Sequence, residues 1–588
     1  MNHYSKLRVL TFFVTFVVYW ANSPYVIGDP LSYEVAEDTV TIVDCKETAS
    51  GALVIPETYE GKPIVSIGGG AFSDCRSLTS VIIPDSVKSI GGGAFSGCRS
   101  LTSVTIPDSV KSIGGSAFSG CKSLKSITIP SRIKIIEYYV FAGCSSLSKV
   151  TIPDNVTTIE DTAFEYCSGL TSVVIGNGVT SIGRLHKEPV WPFTPPRPTG
   201  AFRACSNLKN VTIGDSVSII GDASFINCSS LTSVTIPDSV TSIGENAFQG
   251  CSRLASAVIG NGITTIGKYS PDIRISPREV GVFYECSSLK SIKFGKNITT
   301  IGNDTFYGCS SLKSVTIPNS VNVIGQWAFS SCVSLENVSF GNGVARIDNF
   351  AFKGCSSLST VNIPESLISW GFYTFQDCSN LSSVTIGNGV TSIGNGAFRN
   401  CSSLSSVTIP DSVTSIMWAA FRNCSSMKSI RLPKTVGNIG SEAFAYCSSM
   451  KSITFDGNAP DYTSDVFKGT PKDAKIYIYP DATGFAERFA GLPVVILEDR
   501  NQTVTIVISE NEVHAGKTVI LSVSHDLVLP VTYQWIKDGF NIPGANHKTY
   551  SIVNLKKEDA GEYEVLVSND RGSKISKAVT LTVLDPDN

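Results

Sequence analysis

The stretch LTSVTIPDSVTSIGENAFQGCS, residues 231–252, recurs with small changes sixteen times between Cys75 and Cys447. Its apolar residues first alternate, as in a strand with one buried face, and the Pro-Asp-Ser sequence that follows predicts a turn. A second short strand and a compact AFQGC segment, which we expect to contain a short helical turn, complete the unit. One unit alone would leave many of its apolar residues in water, so the pattern predicts a stack of units, a solenoid.

The spacing of the cysteines locates two insertions. Successive units place their cysteines 23 residues apart, except from Cys167 to Cys205 and from Cys251 to Cys286, which are longer by 15 and 12 residues. Both insertions, residues 184–200 and 268–281, replace the same link before the AF turn. Loops at one repeat position project from one side of a solenoid, here about 15 Å apart, so they can form one surface.

The repeated pattern IPxxVxxIGxxAFxxCxxLxxVxI resembles the BspA-type leucine-rich repeat of bacterial and some protozoan cell-surface proteins. The repeats cover residues 55–455, and LSYEVAEDTVTIVDC at 31–45 is similar to the family's N-terminal cap, which we place at 29–54. Residues 456–497 resemble its C-terminal cap. The resemblance implies a secreted or surface-displayed binding protein, since several relatives are adhesins, and it implies no particular ligand.

The repeat pattern stops at a polar linker, residues 498–503, and residues 504–584 resemble an immunoglobulin-like sandwich of the intermediate set. Trp535 stands at the core tryptophan position and Tyr563 at the tyrosine corner, while Val523 and Val565 replace the two cysteines. Such modules serve as spacers or as binding units. The expected fold class is therefore mainly β: a leucine-rich-repeat solenoid of short strands and short helical turns, followed by an immunoglobulin-like β-sandwich.

The N-terminus predicts export. Lys6 and Arg8 precede a twelve-residue apolar run, residues 9–20, which is too short to span a bilayer comfortably. We expect a signal peptide at 1–28 and, because no later segment is long and apolar enough to span, a secreted or cell-surface protein without a transmembrane anchor. The net charge of −3 and the pI of about 6.0 point to neither nucleic acid nor a membrane surface as a partner.

The seventeen cysteines favour buried thiols over disulfides. Sixteen share one inward repeat position, where neighbours in a parallel stack lie about 4.8 Å apart with parallel Cβ vectors, whereas a disulfide needs converging Cβ atoms about 3.8 Å apart. The ladder also lacks the tetrahedral convergence that zinc requires. Only one of the five histidines lies in the repeats, so we expect no catalytic site, no metal, no cofactor and no enzyme activity.

The insertions carry the candidate binding residues. Aromatic and arginine side chains on proline-stiffened loops are typical of interface anchors, although a tolerated surface loop would have the same composition. Two lysines in the repeat beside the second insertion would add attraction for an acidic ligand. The predicted ligand-binding residues are Arg184, His186, Lys187, Trp191, Phe193, Arg197, Tyr269, Arg274, Arg278, Lys290 and Lys293.

Basic rows mark the first repeats, since residues 71–134 hold eight Lys or Arg against three Asp or Glu. Such rows suit a polyanion, and duplication of a solvated lysine explains them as well.

Two functions remain open. The first is an adhesin-like protein that recognises an extracellular protein or glycan through the repeats and insertions; the alternative is a structural envelope or matrix component without a dedicated ligand.

Overall fold

The structure, a computed structural model, describes residues 29–185, 199–272, 280–497, 504–510, 512–525, 527, 530–569 and 572–584. The predicted signal peptide and linker lie outside these residues. Each repeat contributes two short strands, which pair with the equivalent strands of neighbouring repeats in parallel register, as in Ser233↔Ser256 and Ile220↔Ile243. The stacked units predicted from the sequence are therefore confirmed as two interrupted parallel ladders.

The first ladder has the longer strands. Its alternation is clear in Ser233–Ile236, where Val234 and Ile236 are buried while Ser233 and Thr235 are exposed. The strands are Ser50–Val54, Ser77–Ile82, Ser103–Thr105, Lys149–Ile152, Ser172–Ile175, Asn210–Thr212, Ser233–Ile236, Ser256–Ile259, Ser291–Lys293, Ser314–Thr316, Asn337–Ser339, Thr360–Asn362, Ser383–Thr385, Ser406–Thr408, Ser429–Leu432, Ser452–Phe455, Lys475–Ile478 and Leu492–Ile496.

The second ladder consists mostly of two-residue strands whose second residue is buried. They are Lys62–Ile67, Ser89–Ile90, Ser112–Ile113, Ile135–Ile136, Thr158–Ile159, Ser181–Ile182, Ile219–Ile220, Ser242–Ile243, Thr265–Ile266, Thr300–Ile301, Val323–Ile324, Arg346–Ile347, Ser369–Trp370, Ser392–Ile393, Ser415–Ile416, Asn438–Ile439 and Asp461–Tyr462.

Antiparallel strands close both ends of the stack. At the N-terminal end Leu31–Val35 pairs with Val40–Cys45, and Thr58–Tyr59 pairs with Lys62–Ile67. At the C-terminal end Arg488–Phe489 pairs with Leu492–Ile496. These hairpins cover apolar residues that the terminal repeats would otherwise expose, which is the function of a capping element.

Phenylalanine rings and thiols fill the core in two continuous rows. The repeat phenylalanines from Phe72 to Phe467 stack face to face, with neighbouring ring centroids 4.7 to 5.7 Å apart. Each thiol from Cys98 to Cys447 donates to a phenylalanine carbonyl of the preceding repeat, at 3.0 to 3.3 Å. All seventeen cysteines are buried and unpaired, which places the repeat cysteine in the core as predicted.

The predicted helical turn of each repeat is wrong. In the segment Gly91–Cys98, Ser96 N–H bonds the carbonyl of Gly93 within the repeat, but Phe95 N–H bonds Ala117 of the next repeat. Gly93 and Gly97 have φ of 64° and 74°, a left-handed backbone that interrupts any helix. Because alternate amides bond the neighbouring repeat, the segment forms successive turns. Among the described residues the one helical segment is the 3₁₀ helix Lys557–Asp559.

Residues 504–584 form two β-sheets of their own around a separate core. One sheet joins Val504–Ile508, Val519–His525 and Thr549–Ile552 in antiparallel pairs. The strands of the other sheet are Glu512–His514, Thr532–Lys537, Phe540–Asn541, Gly561–Asn569, Gly572–Ile575 and Val579–Leu584.

Candidate functional site

Exposed aromatic side chains of the repeats share one edge of the solenoid. We call residues 91–97 and their equivalents in the other repeats the turn edge; it lies between the second strand and the cysteine of each unit. Both insertions depart from this edge. Among the described residues of the predicted repeat range, 55–455, every exposed aromatic side chain lies here. These are Tyr139, Tyr166, Phe372, Trp418 and Tyr446.

Cations lie over the aromatic rings of the same edge. The Arg422 guanidinium is 4.8 Å from the Tyr446 ring centroid, and Arg399 is 6.0 Å from that of Trp418. These distances fall within the range of cation–π attraction, which holds both partners in defined positions. The turn edge therefore offers ordered aromatic and arginine side chains outside the insertions.

Buried aromatic residues continue the edge between the exposed ones. Trp327 and Phe350 stack with centroids 4.1 Å apart, and Phe350 stacks on Tyr373 at 5.1 Å. The Lys353 ammonium lies 5.5 Å from the Trp327 ring. Stacking of this kind adds stability beyond the burial of area, so the middle of the edge is a rigid platform.

Arg184 anchors the start of the first insertion. Its guanidinium makes a two-pronged contact with the Glu160 carboxylate, at 2.9 and 2.7 Å, and lies 4.9 Å from the Tyr138 ring centroid. The hydrogen bond to Glu160 raises the pKa of Arg184 above its ordinary value. The Arg184 side chain is thus held by contacts with the two preceding repeats.

A second arginine site lies beside that stem. Arg203 donates to the Glu165 carboxylate and to the Tyr166 hydroxyl, the latter at 2.7 Å, and its guanidinium lies over the Tyr166 ring. The Arg203 and Glu165 side chains are only 16% and 12% exposed. Removal of the arginine would leave an unpaired carboxylate that is largely shielded from water.

We expect Arg203→Met to lower the free energy of unfolding by about 2 kcal/mol, because the pair retains limited contact with water. Arg203→Met combined with Glu165→Gln should recover most of the loss, since no unpaired charge then remains buried. Urea unfolding of the four members of this double-mutant cycle measures the coupling. Additive effects of the two substitutions would contradict the ion-pair assignment.

Tyr269 and its neighbours anchor the start of the second insertion. Burial raises the pKa of Tyr269 above its ordinary value, and the nearby Asp348 carboxylate raises it further. The Asn303 amide donates to the Ser270 carbonyl at 2.9 Å, and the buried Gln326 amide donates to the carbonyl of Asp272. These partners belong to the repeats that follow the insertion.

The two stems contact opposite directions of the stack. Arg184 bonds repeats that precede it, and Ser270 and Asp272, next to Tyr269, bond repeats that follow it. The described contacts therefore do not bring Arg184 and Tyr269 together, and a surface shared by the two insertions stays a prediction.

Lys290 and Lys293 are exposed on the first ladder, at and just before the strand Ser291–Lys293. Tyr269 follows the second-ladder strand Thr265–Ile266, and no described contact joins it to either lysine. Seven of the predicted site residues lie outside the described residues. They are His186, Lys187, Trp191, Phe193, Arg197, Arg274 and Arg278.

The basic rows of the first repeats lie on the surface. Lys111 N–H bonds the Lys88 carbonyl at 2.8 Å, which places the two side chains on adjacent repeats, and both are exposed. Arg76, by contrast, pairs with Asp74 at 3.1 Å.

The sequence did not lead us to predict the aromatic residues of the turn edge as a site. Its members occur at four different positions of the repeat, those of residues 92, 93, 96 and 97 in the second unit, so no single column of the repeat reveals them. Aligning the units and marking every aromatic or arginine residue between the second strand and the cysteine would have found it.

The described part of the chain contains no cluster of three or more His, Cys, Asp or Glu side chains that could hold a metal ion. Within the same residues, no helix has the length and apolar character needed to cross a membrane.

Comparison with known proteins identifies the repeats. Residues 65–185, 198–270, 279–388 and 369–488 match the family described as "BspA type Leucine rich repeat region (6 copies)". A leucine-rich repeat protein from Bacteroides ovatus is 25% identical, with 81% of this chain and 100% of that one covered and a TM-score of 0.40. A T. pallidum leucine-rich repeat protein is 30% identical, with 34% and 88% covered and a TM-score of 0.30.

The decoration protein of Escherichia phage T5 is 44% identical over 55 residues, which are 9% of this chain. The chain spans 34% of the length of that curated relative. The family match is far more extensive: it covers more than half of the chain, including most strands of both ladders. The chain therefore belongs to the family of BspA-type leucine-rich repeat proteins.

Proposed function

We propose that this chain is an exported, non-catalytic binding protein of the cell surface, which recognises an extracellular protein or glycan through its turn edge and insertions. The observation that carries the proposal is the concentration of exposed aromatic side chains on the edge from which both insertions depart. Trp, Tyr and Arg dominate the binding energy of interfaces, and an edge held by ring stacking and ion pairs loses little conformational entropy on binding.

The rigid stems support the same function. Arg184 in the first stem, and Ser270 and Asp272 in the second, are bonded to the repeats, so each insertion starts from a fixed point on the turn edge. Loops on a rigid scaffold are where binding residues are concentrated in other folds. The predicted anchors Trp191 and Arg274 would then extend the turn edge as a recognition surface.

We also propose that residues 504–584 are an immunoglobulin-like module that serves as a spacer or a second binding unit. Trp535 is fully buried, and the Tyr563 hydroxyl donates to the carbonyl of Asp559 at 2.7 Å, as a tyrosine corner would. Val523 and Val565 are buried in the same core, so apolar packing takes the place of a disulfide between the sheets.

The test begins with wild-type protein on an array of glycans and extracellular matrix proteins. For a ligand found there, Trp418→Ala and Tyr446→Ala should each weaken binding roughly 30-fold, which corresponds to a hot-spot loss of about 2 kcal/mol. Ile368→Ala is the matched control, because Ile368 is 71% exposed but lies outside the turn edge. Thermal unfolding of each variant separates lost contacts from lost stability.

Trp191→Ala and Arg274→Ala test the insertions in the same assay, with the same expected loss and little change in stability. Binding that survives all four substitutions would contradict the proposal. The absence of any ligand would favour the structural envelope or matrix component, and turnover of any array component would overturn the non-catalytic assignment.

A further inference from the structure

The thiol ladder has an exceptional first member. From Cys98 onward each thiol donates to a phenylalanine carbonyl 3.0 to 3.3 Å away, usually 26 residues earlier. Cys75 has no preceding repeat and therefore no such carbonyl. Its Sγ instead lies 3.7 Å from the carbonyl oxygen of Cys45 and 3.8 Å from that of Lys46.

Cys45 is the one cysteine outside the repeats, and its thiol faces the same place. Its Sγ lies 3.8 Å from the Lys46 carbonyl oxygen, the atom that Cys75 also contacts. Both residues are almost completely buried, at 3% and 0% exposure. Both thiols thus contact the same carbonyl oxygen, enclosed between the N-terminal cap and the first repeat.

The geometry that keeps the ladder thiols apart does not hold for this pair. Ladder cysteines stand in parallel register 23 residues apart, which holds their Cβ vectors parallel. The strand Val40–Cys45 pairs in parallel with Lys62–Ile67 only as far as Ile42↔Ile67, so Cys45 lies beyond the paired residues, and it precedes Cys75 by 30 residues, not 23. Converging side chains are what a disulfide requires.

We propose that Cys45 and Cys75 form a disulfide that fastens the N-terminal cap to the first repeat. The two S–H bonds break and one S–S bond forms, while two protons leave. The two electrons reduce an oxidant of the disulfide class, such as glutathione disulfide, to two thiols. The other fifteen cysteines stay reduced. This inference concerns the stability of the stack and stands whether or not the proposed binding function is correct.

The electrostatics of the pair assist the exchange. The hydrogen bond from the Cys45 thiol lowers the pKa of Cys75, and the thiolate is the species that attacks a disulfide. The terminal repeat contacts only one neighbouring repeat, so the end of the array is where local opening costs least. A cross-link there restricts the open state of the cap.

The experiment refolds the full chain in a glutathione redox buffer, then denatures it, alkylates it with N-ethylmaleimide and digests it for mass spectrometry. We expect one linked peptide pair that joins Cys45 to Cys75, two mass units below the sum of its reduced peptides, with the other cysteines alkylated. The oxidised protein should melt several degrees higher than the same protein kept in a reductant, by a difference that Cys45→Ala removes.

Three results would overturn the inference: full alkylation of Cys45 and Cys75 after refolding, a mixture of links among ladder cysteines, or a melting temperature unaffected by the link. Cys447→Ala, which removes a thiol at the other end of the ladder, is the control and should retain the Cys45–Cys75 link. Because the linked peptide is detected in the wild-type chain, the result does not depend on whether the Cys45→Ala variant folds.

Discussion

Raising the pH from 7 to 10 is expected to destabilise the repeats steeply; above pH of about 8.5 the loss is about 1.4 kcal/mol per pH unit for every thiol that unfolding exposes. Burial raises the pKa of Cys98, Cys251 and Cys332 to about 12 in the folded chain. An exposed thiol titrates near 8.5. The folded pKa exceeds the unfolded one, so this stability is fully present below pH of about 8.5 and is lost as the pH rises toward 12.

The effect accumulates because nearly every repeat contains such a thiol. A local opening that exposes three repeats releases three protons at high pH, so its free energy should fall by about 4 kcal/mol per pH unit above the thiol pKa. The thiols therefore lower the stability of the repeats at alkaline pH.

The measurement is the urea midpoint in a reducing buffer at pH 7, 8.5 and 10, with hydrogen exchange at each pH corrected for its intrinsic rate. In the variant Cys332→Ala/Cys355→Ala, peptides around these two positions should lose part of their pH dependence while distant repeats keep theirs. A midpoint that does not move between pH 8.5 and 10 would contradict the burial of the thiols.

Phe329→Ala is expected to destabilise its part of the array by about 3 to 5 kcal/mol. The ring is fully buried and stacks between Phe306 and Phe352, at centroid distances of 5.1 and 5.3 Å. Its removal loses the free energy gained when the ring is transferred from water into the core. It also leaves a cavity that the parallel backbone cannot close. Because each repeat touches mainly its neighbours, the loss should be confined to a few units.

Hydrogen exchange resolved along the chain tests this expectation. Protection should fall in the repeats around residue 329 and remain unchanged near both caps. Phe540→Ala removes the same group where it is 78% exposed and should change stability by less than about 0.5 kcal/mol. A uniform rise of exchange along the repeats would mean that the array unfolds as one unit.

The strands and the core of the repeats could be predicted because their chemistry recurs in every unit. Alternation identifies Val234 and Ile236 as inward residues, and the structure buries both. The conformation of the AF segment could not be predicted in the same way. Its left-handed positions accept residues as different as Gly93, Trp327 and Phe350, at φ of 64°, 60° and 61°, because bonds between repeats impose the backbone.

The candidate site was predictable only where the repeat is interrupted. Insertions are conspicuous in a periodic sequence, and two of their residues, Arg184 and Tyr269, lie on the turn edge as ordered stems. The rest of the edge combines Tyr166 from one unit with Trp418 and Tyr446 from distant units, and only stacking brings their repeat positions into one row. The row is not visible in the sequence because its members stand at different positions of the repeat in different units.

Hydroxyl-radical footprinting with a ligand selected on the array tests the central claim, that the turn edge is the binding surface. Oxidation of the exposed turn-edge rings at Tyr139, Tyr166, Phe372, Trp418 or Tyr446 should fall when the ligand is bound, in at least two adjacent members of the row. Oxidation of Ile82, which is exposed on the first ladder, should not change. Protection of Ile82 and its ladder neighbours with unchanged oxidation of all five rings would contradict the claim.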